Sequence, residues 1–213
     1  MEISSATSTI LRPPKFGKLA FLLYSFKPLR VNKYDIKISR TLSLVLRHNP
    51  GAIGLTLDDE GWADIDELLT CLAKQSKTID LATLDKVVTE NSKQRFSFSK
   101  DGQRIRANQG HSIDVDLKLT EKIPPKILYH GTASRFIEMI ESEGLKSMTR
   151  QHVHLSPDIR TAHAVGQRHG IPVILEITAD SMVKHGFKFY HSENGVWLTE
   201  KVPPDYLNRR FSF

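Results

Sequence analysis

Along this chain the apolar residues recur first every three to four positions and then every two, and that switch of period limits the architecture. Ile38, Leu42, Val45 and Leu46 recur at helical spacing from about Asp35, with Ser39 as a start signal, and Asn49-Pro50-Gly51 forces a stop. This puts Arg47 and His48 on an exposed last turn. Two more helical patterns follow, at 64–74 (Ile65, Leu68, Leu69, Leu72) and 80–91 (Leu81, Leu84, Val87, Val88). Each opens on an aspartate suited to capping. The period then falls to two: Phe96 and Phe98 alternate with polar neighbours, Lys100-Asp101-Gly102 turns the chain, and residues 103–107 return. Three helices and a β-hairpin describe a winged helix.

Ile123-Pro124-Pro125 separates this lobe from the next. The spacing there predicts strands at 126–129 and 153–155, helices at 134–143 and 157–169, a β-rich central strand at 173–178 and another strand at 196–198. This α+β order lacks long βαβ periodicity and any Gly-x-Gly-x-x-Gly, which argues against a dinucleotide-binding parallel sheet. With 213 residues and 39% apolar content, the chain can bury one ordinary core or two small ones. The expected organisation is an extension at 1–34, a winged-helix lobe at 35–120 and a second lobe at 121–213.

Charge and cysteine usage narrow the chemistry. The net charge is +6, but residues 1–34 hold six basic side chains against Glu2 alone, so the remainder carries 24 basic and 23 acidic side chains. Any nucleic-acid contact in the folded part must therefore depend on a few placed arginines rather than on a broad basic surface. The single cysteine, Cys71, excludes an internal disulfide and multi-thiolate zinc sites, and its apolar neighbours Leu68, Leu69 and Leu72 mark it as a core thiol. Residues 1–34 are rich in Ser, Thr, Lys and Arg, which suits either a polar tail or an organellar transit segment. Their apolar run at 19–26 is too short to span a bilayer.

Arg47-His48, Arg95 and Arg150 are the side chains suited to a phosphate, because guanidinium forks satisfy its oxygens bidentately while an imidazole relays a proton. Singly, each reads equally well as a surface charge. His130-Gly131-Thr132 ends a predicted strand, where a glycine permits close approach of a ligand to the backbone. His152-x-His154 puts two imidazoles on one strand face, which is also the geometry of a metal pair, but no third ligand is evident.

The stretches Leu46-Arg47-His48-Asn49-Pro50, Asp59-Glu60-Gly61-Trp62, Lys93-Gln94-Arg95-Phe96 and Gln109-Gly110-His111-Ser112 resemble, in order and separation, the N-terminal lobe of the tRNA 2′-phosphotransferase (KptA) family. Tyr129-His130-Gly131-Thr132, His152-Val153-His154-Leu155-Ser156, Val165-Gly166-Gln167-Arg168-His169-Gly170 and Asn194-Gly195-Val196-Trp197-Leu198 resemble its C-terminal lobe. The resemblance runs from about Asp35 to Leu207.

It implies a winged helix that presents RNA, followed by an ADP-ribosyltransferase-like lobe that holds NAD. It also implies a catalytic set of Arg47, His48, Arg95 and Arg150, and an NAD cleft lined by His130, Gly131, Thr132, His154, Ser156 and Arg168. The His-Tyr-Glu trio of related transferases would here be His130, His154 and Val196. The implied reaction removes the splice-junction 2′-phosphate of tRNA through an ADP-ribosylated RNA intermediate, giving 2′-OH RNA, nicotinamide and ADP-ribose 1″,2″-cyclic phosphate. The alternative activity is ADP-ribosyl capping of nucleic-acid phosphate ends. A regulator that senses NAD without catalysis would not need the complete arginine set. NAD is consumed as co-substrate, no metal is required, the partner is RNA with an internal 2′-phosphate, and a monomer with no membrane association is expected. Location is cytoplasmic or nuclear, or organellar if residues 1–34 direct it.

Overall fold

The structure, a computed structural model, describes residues 32–210. The targeting and apolar-run readings of the N-terminal extension lie almost wholly outside these residues. The first helix, α1 (Lys33–Arg47), begins before Ser39, with Asp35 in its first turn where a carboxylate complements the helix dipole. Ser39 is thus an interior residue, and its hydroxyl accepts from Asn91 Nδ2 at 3.2 Å. Leu42 and Leu46 on the inward face are fully buried, each contributing roughly 1.5–3 kcal/mol. Asn49 caps a short 3₁₀ turn at Pro50–Ile53, which stops α1 at the predicted place.

Next come β1 (Ala63–Asp64), α2 (Ile65–Lys74) and α3 (Leu81–Thr89). The side chains of Asp64 and Asp80 accept from the amides of Glu67 and Thr83 at 2.9 and 2.8 Å, so both aspartates cap as expected. β2 (Phe96–Phe98) and β3 (Arg104–Ala107) pair antiparallel, and β1 joins the far side of β3. One apolar cluster, running from Ile38 to Ala107 and including Cys71, unites these elements.

The second half builds a separate cluster, from Leu128 to Val202. Its elements are β4 (Leu128–Ala133), α4 (Ile137–Glu143), β5 (Leu145–Lys146), β6 (Val153–Leu155), α5 (Ile159–Gly166), β7 (Pro172–Ile177), α6 (Ala179–Lys184), β8 (Tyr190–His191), β9 (Trp197–Thr199), β10 (Lys201–Val202) and β11 (Leu207–Arg210). They form antiparallel sheets in the orders β11-β7-β4, β6-β9-β8 and β10-β5, so the chain is α+β and β7 is the central strand anticipated at 173–178.

β4 differs from its predicted span. Six residues pair with β7, from Leu128 opposite Ile177 to Ala133 opposite Pro172, so His130, Gly131 and Thr132 lie within the strand rather than at its end. α5 is shorter than predicted, capped by Asp158 and ended at Gly166, which leaves Arg168 just beyond it. No helix among the described residues is long and apolar enough to cross a membrane.

Candidate active site

Arg47 leaves the end of α1 between the two clusters. Its Nη2 donates to the Arg95 carbonyl at 3.2 Å, its guanidinium lies 5.8 Å from the Phe96 ring centroid, and its Nε is buried without a partner. The expectation of an exposed last turn fails for this residue, because β2 covers it. Burial, and then the charges of Arg95 and Arg150, push its pKa down to about 10, which leaves it charged at neutral pH. His48 is exposed, with Nδ1 2.9 Å from Ser112 Oγ. Its pKa is lowered by partial burial and by Arg47 and Arg150.

Arg95 is oriented by Asn91, whose Oδ1 accepts from Nη1 at 3.2 Å. Burial, and then Arg168, lower its pKa; Lys93 is lowered by burial, Arg168 and Arg95. The Lys93 carbonyl accepts from Asn194 Nδ2 at 3.0 Å, and Glu193 accepts from Ser97 Oγ at 2.6 Å and Arg106 Nη2 at 3.3 Å. The turn before β9 is thereby fastened to the β2–β3 hairpin.

From the second half, Arg150 directs Nη1 toward His154 Nδ1 at 3.5 Å. His154 Nε2 is buried without a partner, and burial together with Arg150, Arg47 and His130 pushes its pKa down to about 3. Gly110 explains how Arg47 and His154 converge from opposite halves. A Cβ built at Gly110 would lie 3.7 Å from both Arg47 Nη1 and His154 Nε2, and φ is +89° there. A larger side chain would intrude between the two groups, on a backbone conformation that favours glycine.

Two further imidazoles are buried at this junction. His130 Nδ1 is 3.0 Å from the His154 carbonyl, so that nitrogen carries the proton, and desolvation dominates the lowering of its pKa. His111 is 1% exposed, neither ring nitrogen has a well-formed hydrogen bond, and burial, then Arg47, His48 and Arg106, push its pKa down to about 4.

The charges that shift Arg47, His48, Lys93, Arg95, His111 and His154 are all cations. Arg106 is paired with Glu193, and the concentration of the remaining cations raises the energy of the empty site and suits it to a multiply charged anion.

The structure thus brings Arg47, His48, Arg95 and Arg150 into one electrostatic cluster, with His130 and His154 alongside and Arg168 acting on Arg95. Gly131, Thr132 and Ser156 serve differently. A Cβ on Gly131 would run into the Ala162 carbonyl, so the missing side chain lets α5 pack directly on β4. Thr132 is buried on β4, on the strand face shared with His130 and opposite the one Gly131 turns to α5, and Ser156 Oγ bonds within the cap of α5, to the Asp158 amide and carbonyl. Val196 lies in the turn closed by Ser192, whose amide and hydroxyl both donate to its carbonyl.

His152 stands edge-on to Tyr190 at 5.7 Å while His154 meets Arg150, so the two imidazoles have separate partners. Among the described residues no group of three or more His, Cys, Asp or Glu is placed to hold a metal. Sequence reasoning gave no role to Lys93, Asn91 or Gln151. For Lys93 the signal was two cations one residue apart in a stretch, 92–100, that contains no acid.

Comparison with known proteins agrees with this geometry. Residues 33–201 match the model of the family described as RNA 2'-phosphotransferase, Tpt1 / KptA family. The chain is 57% identical over 172 residues to a protein of Burkholderia lata named "Probable RNA 2'-phosphotransferase", covering 80% of this chain and 89% of that protein. It is 54% identical over 170 residues to proteins of the same name from Flavobacterium johnsoniae, covering 80% and 93%, and from Escherichia coli strain SE11, covering 79% and 92%. The match covers the whole first apolar cluster, all of the second but Val202, and all four candidate catalytic residues, and the chain belongs to this NAD-dependent RNA 2′-phosphotransferase family.

Proposed function

We propose that the chain removes the splice-junction 2′-phosphate of tRNA, transferring it to the ADP-ribose part of NAD through an ADP-ribosylated RNA intermediate. Nicotinamide, 2′-OH RNA and ADP-ribose 1″,2″-cyclic phosphate are the products. The observation that carries this reading is the convergence of Arg47, Arg95 and Arg150 with His48, from both halves of the chain, in surroundings whose shifting charges are all cations. A phosphate dianion supplies the missing negative charge, and several guanidinium forks match its oxygens.

In this reading residues 35–120 form a winged helix that presents the RNA, and residues 121–213 form an ADP-ribosyltransferase-like lobe. NAD, when bound, supplies an anomeric carbon with a neutral leaving group. His130 and His154 fit such a co-substrate: both are held neutral by burial, and His154 Nε2 is an orphaned buried polar atom at the cluster. Arg168 adds a cation and Thr132 shares the strand face of His130, while Gly131 and Ser156 fix the strand–helix wall behind them.

Arg47, His48 and Arg95 hold the RNA phosphate as its oxygen attacks. That oxygen is already anionic, so no base is needed in the first step. The second step is attack of the ribose 2″-hydroxyl on phosphorus, with departure of the RNA 2′-oxygen. The hydroxyl must lose a proton and the leaving oxygen must gain one, so His48 serves proton transfer while Arg150 stabilises charge on the phosphoryl group.

The test is incubation of the full chain with a 2′-phosphorylated oligonucleotide and NAD. Release of nicotinamide and the cyclic phosphate with stoichiometric 2′-OH RNA supports the reading. Accumulation of ADP-ribosylated nucleic acid as the end product would replace it with the capping activity.

A further inference from the structure

We propose that Ser112 is a positioning residue for His48: its hydroxyl accepts from Nδ1–H and leaves Nε2 as the ring nitrogen that handles the reaction's proton. This rests on the role given to His48 above. His48 is exposed at the end of α1, where the helix does not fix the ring, and the contact from Ser112 Oγ to Nδ1 at 2.9 Å is what orients it.

Ser112 is itself fixed from two sides. Its amide donates to the Arg47 carbonyl at 2.9 Å, satisfying one of the helix-end carbonyls that lack an intrahelical partner. The neighbouring His111 carbonyl accepts from the Gln151 amide at 3.1 Å, and Gln151 Nε2 donates to the carbonyls of Ile113 and Val115 at 3.3 and 2.7 Å. The segment that carries Ser112 is therefore clamped between α1 and the residue that follows Arg150.

Charge selects the tautomer. The groups that act on the His48 ring are Arg47 and Arg150, and beside guanidinium ions a lone pair is a better neighbour than an N–H dipole. The Nδ1–H form, donating to Ser112, presents that lone pair on Nε2. When Nε2 accepts a proton from the attacking hydroxyl, Nδ1–H still donates to Ser112, so one contact serves the neutral and the charged ring. An oriented imidazole of this kind is how a side chain without charge of its own contributes to proton transfer.

The test combines kinetics with imidazole ¹⁵N NMR on the full chain and on Ser112→Ala, Ser112→Thr, His48→Ala and the Ser112→Ala/His48→Ala double variant. Ser112→Ala should slow conversion of the ADP-ribosylated intermediate by about five- to twentyfold, the size expected for one lost hydrogen bond, with KM for the oligonucleotide and Tm near wild type. Ser112→Thr should restore the rate, and Ser112→Ala should add no further loss in the His48→Ala background. The NMR spectrum of the free protein should show His48 as the Nδ1–H tautomer, replaced by a mixture in Ser112→Ala. A wild-type second step in Ser112→Ala, an equal loss with and without His48, or an Nε2–H tautomer in the wild type would each overturn the proposal. Full turnover by His48→Ala would instead overturn the role of His48, and the NMR spectra distinguish that failure from a failure of the Ser112 contact.

Discussion

The two halves of the chain place their charged groups by different means. In the first, Arg47, His48 and Arg95 sit at the ends of local elements whose boundaries are set by caps and turns within a few residues. In the second, Arg150 and the buried imidazoles depend on strands that pair across long stretches of sequence, such as His154 opposite Leu198 and His130 opposite Leu175. The first half therefore supplies arginines at element ends, Arg47 among them largely buried, and the second supplies exposed Arg150 beside buried imidazoles. Gly110, on a left-handed backbone, lies beside both Arg47 and His154 where the two halves meet.

The largest expected effect joins one residue from each half in the same step. His48→Ala and Arg150→Ala should slow the second step by about 10²–10⁴-fold, the range typical of general acid–base help, while the first step is less affected. Following a labelled 2′-phosphorylated RNA with time should then show an intermediate band that is faint in the wild type. Parallel loss of both steps, with no such band, would assign the two residues to binding instead.

A second prediction concerns the strand–helix wall. Gly131→Ala forces a methyl group against the Ala162 carbonyl, where neither backbone can yield cheaply. A loss of about 3 kcal/mol or more is expected, at the upper end of overpacking costs, read as a lower urea midpoint. An unchanged midpoint would show that α5 is free to move away from β4.

Acid should act on the junction next. His154 and His111 titrate at about 3 and about 4 in the folded protein, against 6.5 for an ordinary histidine. Below pH 6.5 the unfolded chain therefore binds more protons than the folded one, so their contribution to stability is complete above pH 6.5. It is lost as pH falls toward the folded values. The slope is up to about 1.4 kcal/mol per pH unit for each group, and His111→Phe should remove its share. Urea unfolding at pH 7.5, 6.0 and 5.0 checks this; equal stability at the three values would contradict burial of neutral rings.

The smallest effect belongs to the first half. Asp64→Ala or Asp80→Ala removes one capping bond and should cost about 1 kcal/mol, with turnover of 2′-phosphorylated RNA unchanged at a temperature below the transition. A loss of turnover without a loss of stability would tie the caps to the site.

These contrasts also explain what the sequence made legible. Asp64, Asp80 and the Asn49-Pro50-Gly51 stop act on amides two or three residues away, so pattern alone located α2, α3 and the end of α1. Cys71 was readable as core because its helix is amphipathic. By contrast β1, β5, β8 and β10 are two residues long and carry no period, and β11 (Leu-Asn-Arg-Arg) is held by backbone pairing with β7 rather than by an apolar pattern. The arginines of the cluster were visible as residue types, but their meeting was not. It depends on Gly110 and on the contacts of Lys93 with Asn194 and of Arg106 with Glu193, each joining positions about a hundred residues apart or nearly so. Gly131 was singled out for the absence of a Cβ, and the sequence could not show that α5 packs into that space.

If arginines from both halves form one receptor for the RNA 2′-phosphate, binding of that phosphate measures it most directly. The affinity of an oligonucleotide with an internal 2′-phosphate should be compared with that of its 2′-OH counterpart, for the wild type and for Arg47→Ala, Arg95→Ala and Arg150→Ala. The wild type should prefer the phosphorylated form, and that preference should fall by about 10–100-fold in each variant, the cost of losing one charge-assisted contact, while binding of the 2′-OH form changes little. A preference that survives intact in any of the three would contradict the assignment of that arginine, and survival in all three would place the phosphate elsewhere.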